Sequence, residues 1–290
     1  MSFIQFARAH GVEIDPARLY PSEKIKRCGT VEKPRSRNGA YFWDGMRGWV
    51  FNWQGQAQVQ WFNDPAAKPW TEAEKAAWKA QRQAQRIRQE QGYQRAAQQA
   101  HELLRTATPG THSYLHSKGF PQAQGLIAQD GALLIPMRHH QTNALQGVQM
   151  IRWLEDERRH EKKMQPYGMK AAGAVHRMGS NNTFETCLVE GYATGLSVLE
   201  ALRGMGVQAV VLVCFSAHNL TLVAQGVHGR AYVFADHDKS GTGQSAAEQT
   251  GLPWCMSPIE GEDANDLHQR AGVLAVRQLL MRVRLQRKVA

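Results

Sequence analysis

The sequence predicts an α/β protein whose C-terminal part is a mostly parallel sheet flanked by helices, and three observations carry that expectation. Beyond Ser180, short apolar runs alternate with helical segments. Two of these runs end in acids, Leu188-Val189-Glu190-Gly191 and Phe234-Ala235-Asp236-His237-Asp238. A glycine-rich turn, Ser240-Gly241-Thr242-Gly243, opens the helix after the second. The reading is strand 186–190, helix 193–204, strand 208–215, helix 218–226, strand 230–235, helix 243–251, strand 253–257 and a terminal helix from about 264. Strands joined by helices of this length imply right-handed crossovers and parallel pairing.

Three further parts precede this sheet. Residues 1–70 form an aromatic-rich β-module, in which nine aromatic residues fall between Tyr41 and Trp70. Tyr41-Phe42-Trp43, the turn Asp44-Gly45 and Trp49-Val50-Phe51 read as a hairpin. Just ahead of it Lys24, Lys26, Arg27, Lys33, Arg35 and Arg37 stand against one acid, Glu32. A nucleic-acid single strand needs cations for its phosphates and rings for its bases, which makes Lys33, Arg35, Arg37, Trp43 and Trp49 candidates for DNA contact. The same residues fit a module whose aromatics are core and whose basic loop is merely solvated. Both readings stand.

Residues 71–108 turn to Ala, Gln, Arg, Lys and Glu and read as a long polar helix or helix pair connecting two domains. Thr71 and Glu74 form a capping box after Pro69, and Gly92 is a candidate break. With Trp78, Ile87, Leu103 and Leu104 as its sparse apolar positions it offers little core, and Lys75, Lys79, Arg82 and Arg86 read as a solvated face. Residues 109–180 make a small basic α+β subdomain, with strands at Gly131–Met137 and Gly147–Leu154 and then a basic loop of Arg158, Arg159, His160, Lys162, Lys163 and Lys170. Residues 181–290 complete the chain as its catalytic domain.

At 290 residues and 42% hydrophobic content the chain can bury a sizeable core, and a net charge of +10 favours a polyanionic partner. No apolar run reaches the roughly 20 residues that span a bilayer, and Met1-Ser2-Phe3-Ile4-Gln5 lacks the pattern of a signal peptide, so a cytoplasmic protein without a membrane partner is expected. Cys28, Cys187, Cys214 and Cys255 are widely spaced, read as free thiols, and leave no ligand spacing for zinc.

In an open α/β sheet the site lies beyond the carboxyl ends of the strands, where Glu190, Ser216, Asp236 and Asp238 all fall. Glu190, Asp236 and Asp238 are the candidate catalytic and metal-binding acids, since hard carboxylate oxygens select Mg²⁺ or Mn²⁺. Neither aspartate reads as structural. The free N–H groups that open the next helix suit phosphate, and Ser216 and Asn219 on the loop after the second strand are candidates for the same role. His218 reads as support for that loop. His139, His140 and His160 read as surface residues.

These motifs resemble a known family. Val189-Glu190-Gly191-Tyr192-Ala193-Thr194 and Ala235-Asp236-His237-Asp238-Lys239-Ser240-Gly241 look like the two motifs of the Toprim domain, shared by bacterial-type primases, type IA and II topoisomerases and some nucleases. Gly261-Glu262-Asp263-Ala264-Asn265-Asp266-Leu267 resembles the third acidic segment of phage and plasmid Toprim primases. Upstream, Tyr114-Leu115-His116-Ser117-Lys118-Gly119 resembles the segment ahead of the primase core, with Lys118 in place of the usual arginine. The hairpin carrying Arg152, with Lys163-Met164 and Gly173-Ala174-Val175, looks like the family's basic subdomain. Lys33-Pro34-Arg35-Ser36-Arg37-Asn38-Gly39-Ala40-Tyr41 resembles the front module of mobile-element primases, without the usual zinc ribbon.

The resemblance implies template-directed synthesis of short RNA primers on single-stranded DNA during plasmid, phage or other mobile-element replication. Two or more Mg²⁺ or Mn²⁺ ions would be held by Glu190, Asp236 and Asp238, with Asp263 and Asp266 as weaker ligands, since an acidic loop capping a helix would look the same. Glu190 is alternatively a general base. Arg152, Lys162, Lys163 and Lys239 would meet the incoming NTP or the template. No P-loop is present, so a separate replicative helicase would unwind the duplex. The rival class is a metal-dependent Toprim nuclease, because the acids alone do not set the direction of the chemistry. A topoisomerase would need a strand-passage domain for which the chain has no room.

Overall fold

A computed structural model describes residues 1–53, 58–63, 71–180 and 183–286. The chain divides into two compact units, Met1–Gln83 and Ala84–Ala290.

The first unit opens with α1 (Phe3–Ala9), capped by a reciprocal pair of hydrogen bonds between Ser2 and Gln5. It continues through β1 (Val12–Glu13), β2 (Ser22–Thr30), β3 (Gly39–Trp43), β4 (Arg47–Asn52) and β5 (Gln60–Asn63), which lie in chain order in an antiparallel sheet. The predicted hairpin is β3–β4, and Asp44 closes its turn by accepting from the N–H groups of Met46 and Arg47. Phe3, Ala7, Val12, Ile14, Tyr41, Val50 and Phe62 form the core on one face of the sheet. Trp43 belongs to this core, with its ring stacked on Phe3 at 4.5 Å. That corrects its assignment as a DNA-contacting residue: an aromatic at this strand position alternates into the buried face.

A single 34-residue helix, α2 (Glu72–Arg105), follows. It runs unbroken through Gly92, because one glycine costs about 1 kcal/mol and does not end a helix that is packed elsewhere. Its last turns do build core, contrary to the expectation of little: Ala96 and Ala100 are buried, and Leu103, Leu104 and Ala107 pack with Ala132, Leu134, Val148 and Met150. The capping-box partner Glu74, Pro69 and Trp70 fall outside what the structure describes in side-chain detail.

The second unit then adds β6 (Thr108–Gly110), α3 (Ser113–Ser117), β7 (Gly125–Ile127), β8 (Leu133–His139), β9 (Leu145–Leu154), β10 (Arg159–Gln165) and β11 (Ala174–Gly179). The expected basic loop is in large part a strand. Arg159–Gln165 pairs along its whole length with β9, and its charges suit the outermost position, where they oppose pairing with another chain. β11 couples the two halves of the unit, pairing with β8 at Ala174 and Val175 and, from His176, antiparallel to β13.

The predicted α/β alternation is then observed: β12 (Glu185–Val189), α4 (Tyr192–Gly204), β13 (Val210–Val213), α5 (Ala217–Ala224), β14 (Arg230–Ala235), α6 (Thr242–Gln249), β15 (Trp254–Met256), α7 (Ala264–Ala271) and α8 (Val273–Leu285). The terminal helix is thus two helices, divided at Gly272, whose φ of 79° is left-handed. Strand order is β10-β9-β8-β11-β13-β12-β14-β15, with the last four parallel to one another. Residues of α4, α7 and α8 cover one face, and residues of α5 and α6 cover the other. From central β12 the chain crosses to β13 on one side and then to β14 on the other, so the β12/β14 crevice is the topological switch point. Among the described residues no helix is long and apolar enough to cross a membrane.

Candidate active site

Glu190 and Asp236 each stand one residue beyond the ends of the adjacent strands β12 and β14, at the switch point. The β12 end is fixed from its other side. Phe215, held at a left-handed φ of 66°, donates its N–H to the Glu190 carbonyl at 2.9 Å. Such strain in a non-glycine residue persists only where its surroundings impose it. The β14 end is fixed by close packing, since a Cβ on Gly243 would lie 2.2 Å from the Asp236 carbonyl oxygen, so only glycine lets α6 begin there.

The two acids are electrostatically frustrated. Burial, then the charges of Asp263, Glu190 and Asp238, push the Asp236 carboxyl up to about 8, with Lys162 opposing. Burial and Asp238 also raise Glu190, opposed by the Ala217 N–H. One oxygen of Asp236 is buried without a hydrogen-bond partner. Among the described residues no lysine or arginine forms a salt bridge with Glu190, Asp236, Asp238 or Asp263. Buried, uncompensated carboxylates of this kind cost several kcal/mol unless a cation joins them.

Asp238 has the opposite surroundings. Its Oδ1 accepts from the Ser240 N–H at 2.9 Å, the Ser240 hydroxyl and the Thr242 N–H at 3.2 Å, and its Oδ2 from the Gly243 N–H at 2.8 Å. These bonds, the Ser240 hydroxyl first, hold its carboxyl below the ordinary range. Asp238 therefore is structural, closing the glycine-rich turn and satisfying the first N–H groups of α6, against the expectation that neither aspartate would be. The helix start expected to meet phosphate already faces a carboxylate.

The third acidic segment is likewise a cap and a latch. Asp263 accepts from the N–H groups of Asn265 and Asp266, Asp266 accepts from the Asp263 N–H, and the Thr194 hydroxyl donates to Asp263 at 3.1 Å. Asn265, fully buried, donates to the Lys118 carbonyl at 2.8 Å and to the Ser197 hydroxyl, while Lys118 stands 3.8 Å from Asp266. The segment around α3 is thus fastened to the start of α7. Asn265, Thr194 and Ser197 were not singled out as site residues, although all but Ser197 lie inside the motifs quoted for the resemblance.

The basic candidates separate by strand alternation. Cross-strand partners share a face, so Arg152 lies with Glu161, and Lys163 falls on that same side, while Lys162 and His160 lie opposite. Lys162 reaches over the Tyr114 ring at 5.1 Å, and its charge is felt at Asp236. Arg152 is paired with Asp130 and lines a groove with Gln99, Glu102 and Leu103, and Lys163 is paired with Glu161 at 2.9 Å. The three cannot act as one basic patch. His160 is no isolated surface residue: its Nε2 meets the Ser113 hydroxyl at 3.0 Å, and its ring packs against Trp153 and Tyr114.

Lys239 is exposed beside Asp238. Ser216 caps α5 by accepting from the Asn219 N–H. Asn219 is buried, and its amide accepts from the Gly173 N–H at 2.7 Å and donates to the Ala174 and Cys214 carbonyls. With its side chain spent on binding β11 to the end of β13, Asn219 has nothing left for a phosphate, which corrects its assignment there. Lys33, Arg35 and Arg37 are exposed in the first unit between β2 and β3.

The donor set fits a hard divalent cation: oxygen ligands, one of them orphaned, among neighbouring negative charges. Among the described residues no three His, Cys, Asp or Glu are grouped to hold an ion by themselves. Mg²⁺ needs no such cage, since it is commonly held by one or two carboxylates, waters and substrate phosphates.

Comparison with known proteins places part of this geometry in a family. Two solved structures resemble the chain at 16% identity. One, described as the structure of the DnaG catalytic core, aligns over 60% of this chain and 64% of its own length with a TM-score of 0.37. The other, a DnaG primase catalytic domain bound to ssDNA, aligns over 67% and 73% with a TM-score of 0.36. The chain spans less than two thirds of the first. No curated protein matches. The family model of the Toprim domain matches residues 185–273. That segment, which carries both acidic strand ends and the capped Asp263, is a Toprim domain.

Proposed function

We propose that the chain is a DNA primase, a nucleotidyltransferase that joins ribonucleotides into short primers on a single-stranded DNA template. The observation that carries this reading is the pairing of Glu190 and Asp236 at the switch point of the Toprim sheet with Lys162, delivered from the β9–β10 hairpin and acting on Asp236. A carboxylate pair with a lysine at its rim suits a reaction in which phosphates arrive, react and leave.

In this reading Asp236 and Glu190 are the main Mg²⁺ or Mn²⁺ ligands, and Asp238 contributes to their charge while shaping the turn. The ions supply charge neutralisation of the nucleotide's phosphates and of the leaving pyrophosphate. Glu190, raised by burial, is also placed to take a proton from the attacking 3′-hydroxyl. Lys162 and Lys239 orient the triphosphate, and Asp263 keeps Asp236 ready for a cation by its negative charge. Residues 71–108 serve as the connector, with their last turns packed into the basic subdomain of 109–180, and 181–290 as the catalytic domain. The wider setting is a cytoplasmic one, the replication of a plasmid, phage or other mobile element, with unwinding left to a separate helicase.

The test is incubation with single-stranded DNA, labelled NTPs and Mg²⁺ or Mn²⁺. Short labelled oligomers that vanish in Asp236→Ala and Glu190→Ala support the reading. Template cleavage without synthesis would replace it with the nuclease.

A further inference from the structure

Among the described residues the N-terminal sheet has its core on one face. Tyr41, Trp43, Val50 and Phe62 point into the core with α1. By alternation and register the opposite face carries Phe42 on β3, Trp49 on β4 and Trp61 on β5, which are direct cross-strand partners in one row, Phe42 beside Trp49 and Trp49 beside Trp61. Phe51 and Ala40 form the next row, and Arg27 of β2 pairs with Ala40 on that face. Trp61 is 59% exposed and Trp53, which meets Phe51 edge-on, is 47% exposed.

Neighbouring strands stand about 4.8 Å apart, so the three aromatic positions follow one another across the sheet at the spacing of a strand ladder. Keeping two tryptophans in water is unfavourable for a fold that needs only a core, and it marks a contact surface. The surrounding charge identifies the partner. The Arg27 guanidinium lies 3.8 Å from the Trp53 ring, Arg47 shares the face, and Lys33, Arg35 and Arg37 are exposed on the β2–β3 connection. Of the unit's acids Glu13 and Asp15 are paired with Arg8 and Arg18, Asp44 closes its turn, and Glu32 is exposed on the β2–β3 connection among Lys33, Arg35 and Arg37. Cations beside exposed rings complement a chain of phosphates with accessible base faces, which a duplex keeps stacked inside and an acidic peptide lacks.

We propose that the outer face of this sheet, the row Phe42, Trp49 and Trp61 with Arg27 and Trp53 at its edge, is a stacking platform for the unpaired bases of a single-stranded nucleic acid. Bases lie on the rings, and the arginines and the β2–β3 connection follow the phosphates. This site uses none of the acids of the Toprim domain and requires no metal ion or nucleotide.

The test uses the full chain, a fluorescein-labelled oligothymidylate and EDTA, with anisotropy as the readout. Trp61→Ala, at an exposed position, is expected to keep the wild-type melting temperature and weaken binding about tenfold, with Trp61→Phe recovering most of the loss. Trp49→Ala with Trp61→Ala is expected to weaken it further, and a duplex of equal length is expected to bind less tightly and to be indifferent to Trp61→Ala. Photocrosslinking of an iodouridine-substituted oligonucleotide is expected to label a peptide within 41–63. Unchanged affinity in Trp61→Ala and in the double variant, absence of oligothymidylate binding by the wild type, or crosslinks confined to 109–273 would each overturn the proposal.

Discussion

In the Toprim sheet β12, β13 and β14 are buried on both sides, so polar side chains can reach solvent only where the strands end, and Glu190, Ser216 and Asp236 collect there. In the N-terminal sheet the described core lies on one face and the exposed Trp61 on the other, so side chains alternate between the two along the strands. The two proposals accordingly assign chemistry to an edge and recognition to a face. An edge concentrates charge in a few places and perturbs it, as at Asp236. A face repeats similar side chains in rows.

The largest effect that would sharpen the contrast is at Asp236. If the edge concentrates the chemistry, Asp236→Asn should reduce primer synthesis on the order of a hundredfold or more while leaving oligothymidylate binding in EDTA within about twofold of wild type, because only the edge needs a cation. The same residue should set a pH dependence. Its folded-state carboxyl, raised to about 8, holds a proton more tightly than the unfolded chain does. The associated stability is therefore full below the unfolded value and is lost as pH rises through about 8. In EDTA, melting temperature should fall by a few degrees from pH 6 to pH 8.5, flatten in Asp236→Asn, and recover at pH 8.5 with Mg²⁺. A wild-type melting temperature that rises over this range would break the account of the edge.

A smaller effect separates the two faces of the N-terminal sheet. Trp43 stacks on Phe3 and packs on the core face, so Trp43→Ala should cost up to about 3 kcal/mol in denaturant unfolding. Trp61→Ala, at an exposed position on the opposite face, should stay within about 0.5 kcal/mol of wild type. Equal losses at the two positions would mean that both faces are core.

The tryptophans of this sheet also show where the sequence is legible. The parallel sheet could be read to within a few residues because doubly buried strands are uninterrupted apolar runs, and an acid after such a run marks its carboxyl end, as at Val189-Glu190 and Ala235-Asp236. Trp43 and Trp49 look alike in sequence, and only strand register assigns them to opposite faces. Asp236 and Asp238 look alike for a similar reason. What separates them is the backbone of the turn, which brings four donors to Asp238 and leaves an oxygen of Asp236 buried with none. Asn219 was legible as a polar residue at the edge, but its commitment to Gly173, Ala174 and Cys214 depends on contacts with residues more than forty positions upstream in two of the three cases.

The smallest effect tests alternation inside the second unit, where edge and face meet. β10 carries Lys162 and Lys163 in succession, so their side chains leave on opposite sides. Lys162 lies over Tyr114 and opposes the raised carboxyl of Asp236, whereas Lys163 is paired with Glu161. Lys162→Ala should therefore lower primer synthesis about tenfold, chiefly through a higher KM for NTP, and raise the Asp236 carboxyl further, shifting the alkaline loss of melting temperature upward in pH. Lys163→Ala removes only a surface ion pair and should change synthesis by no more than about twofold. Titration of NTP at fixed template separates the two variants, and equal losses would mean that β10 does not keep its register with β9 when substrate is bound. In that case the hairpin would act as a mobile basic arm, and the single-sided delivery of Lys162 to the edge would have to be abandoned.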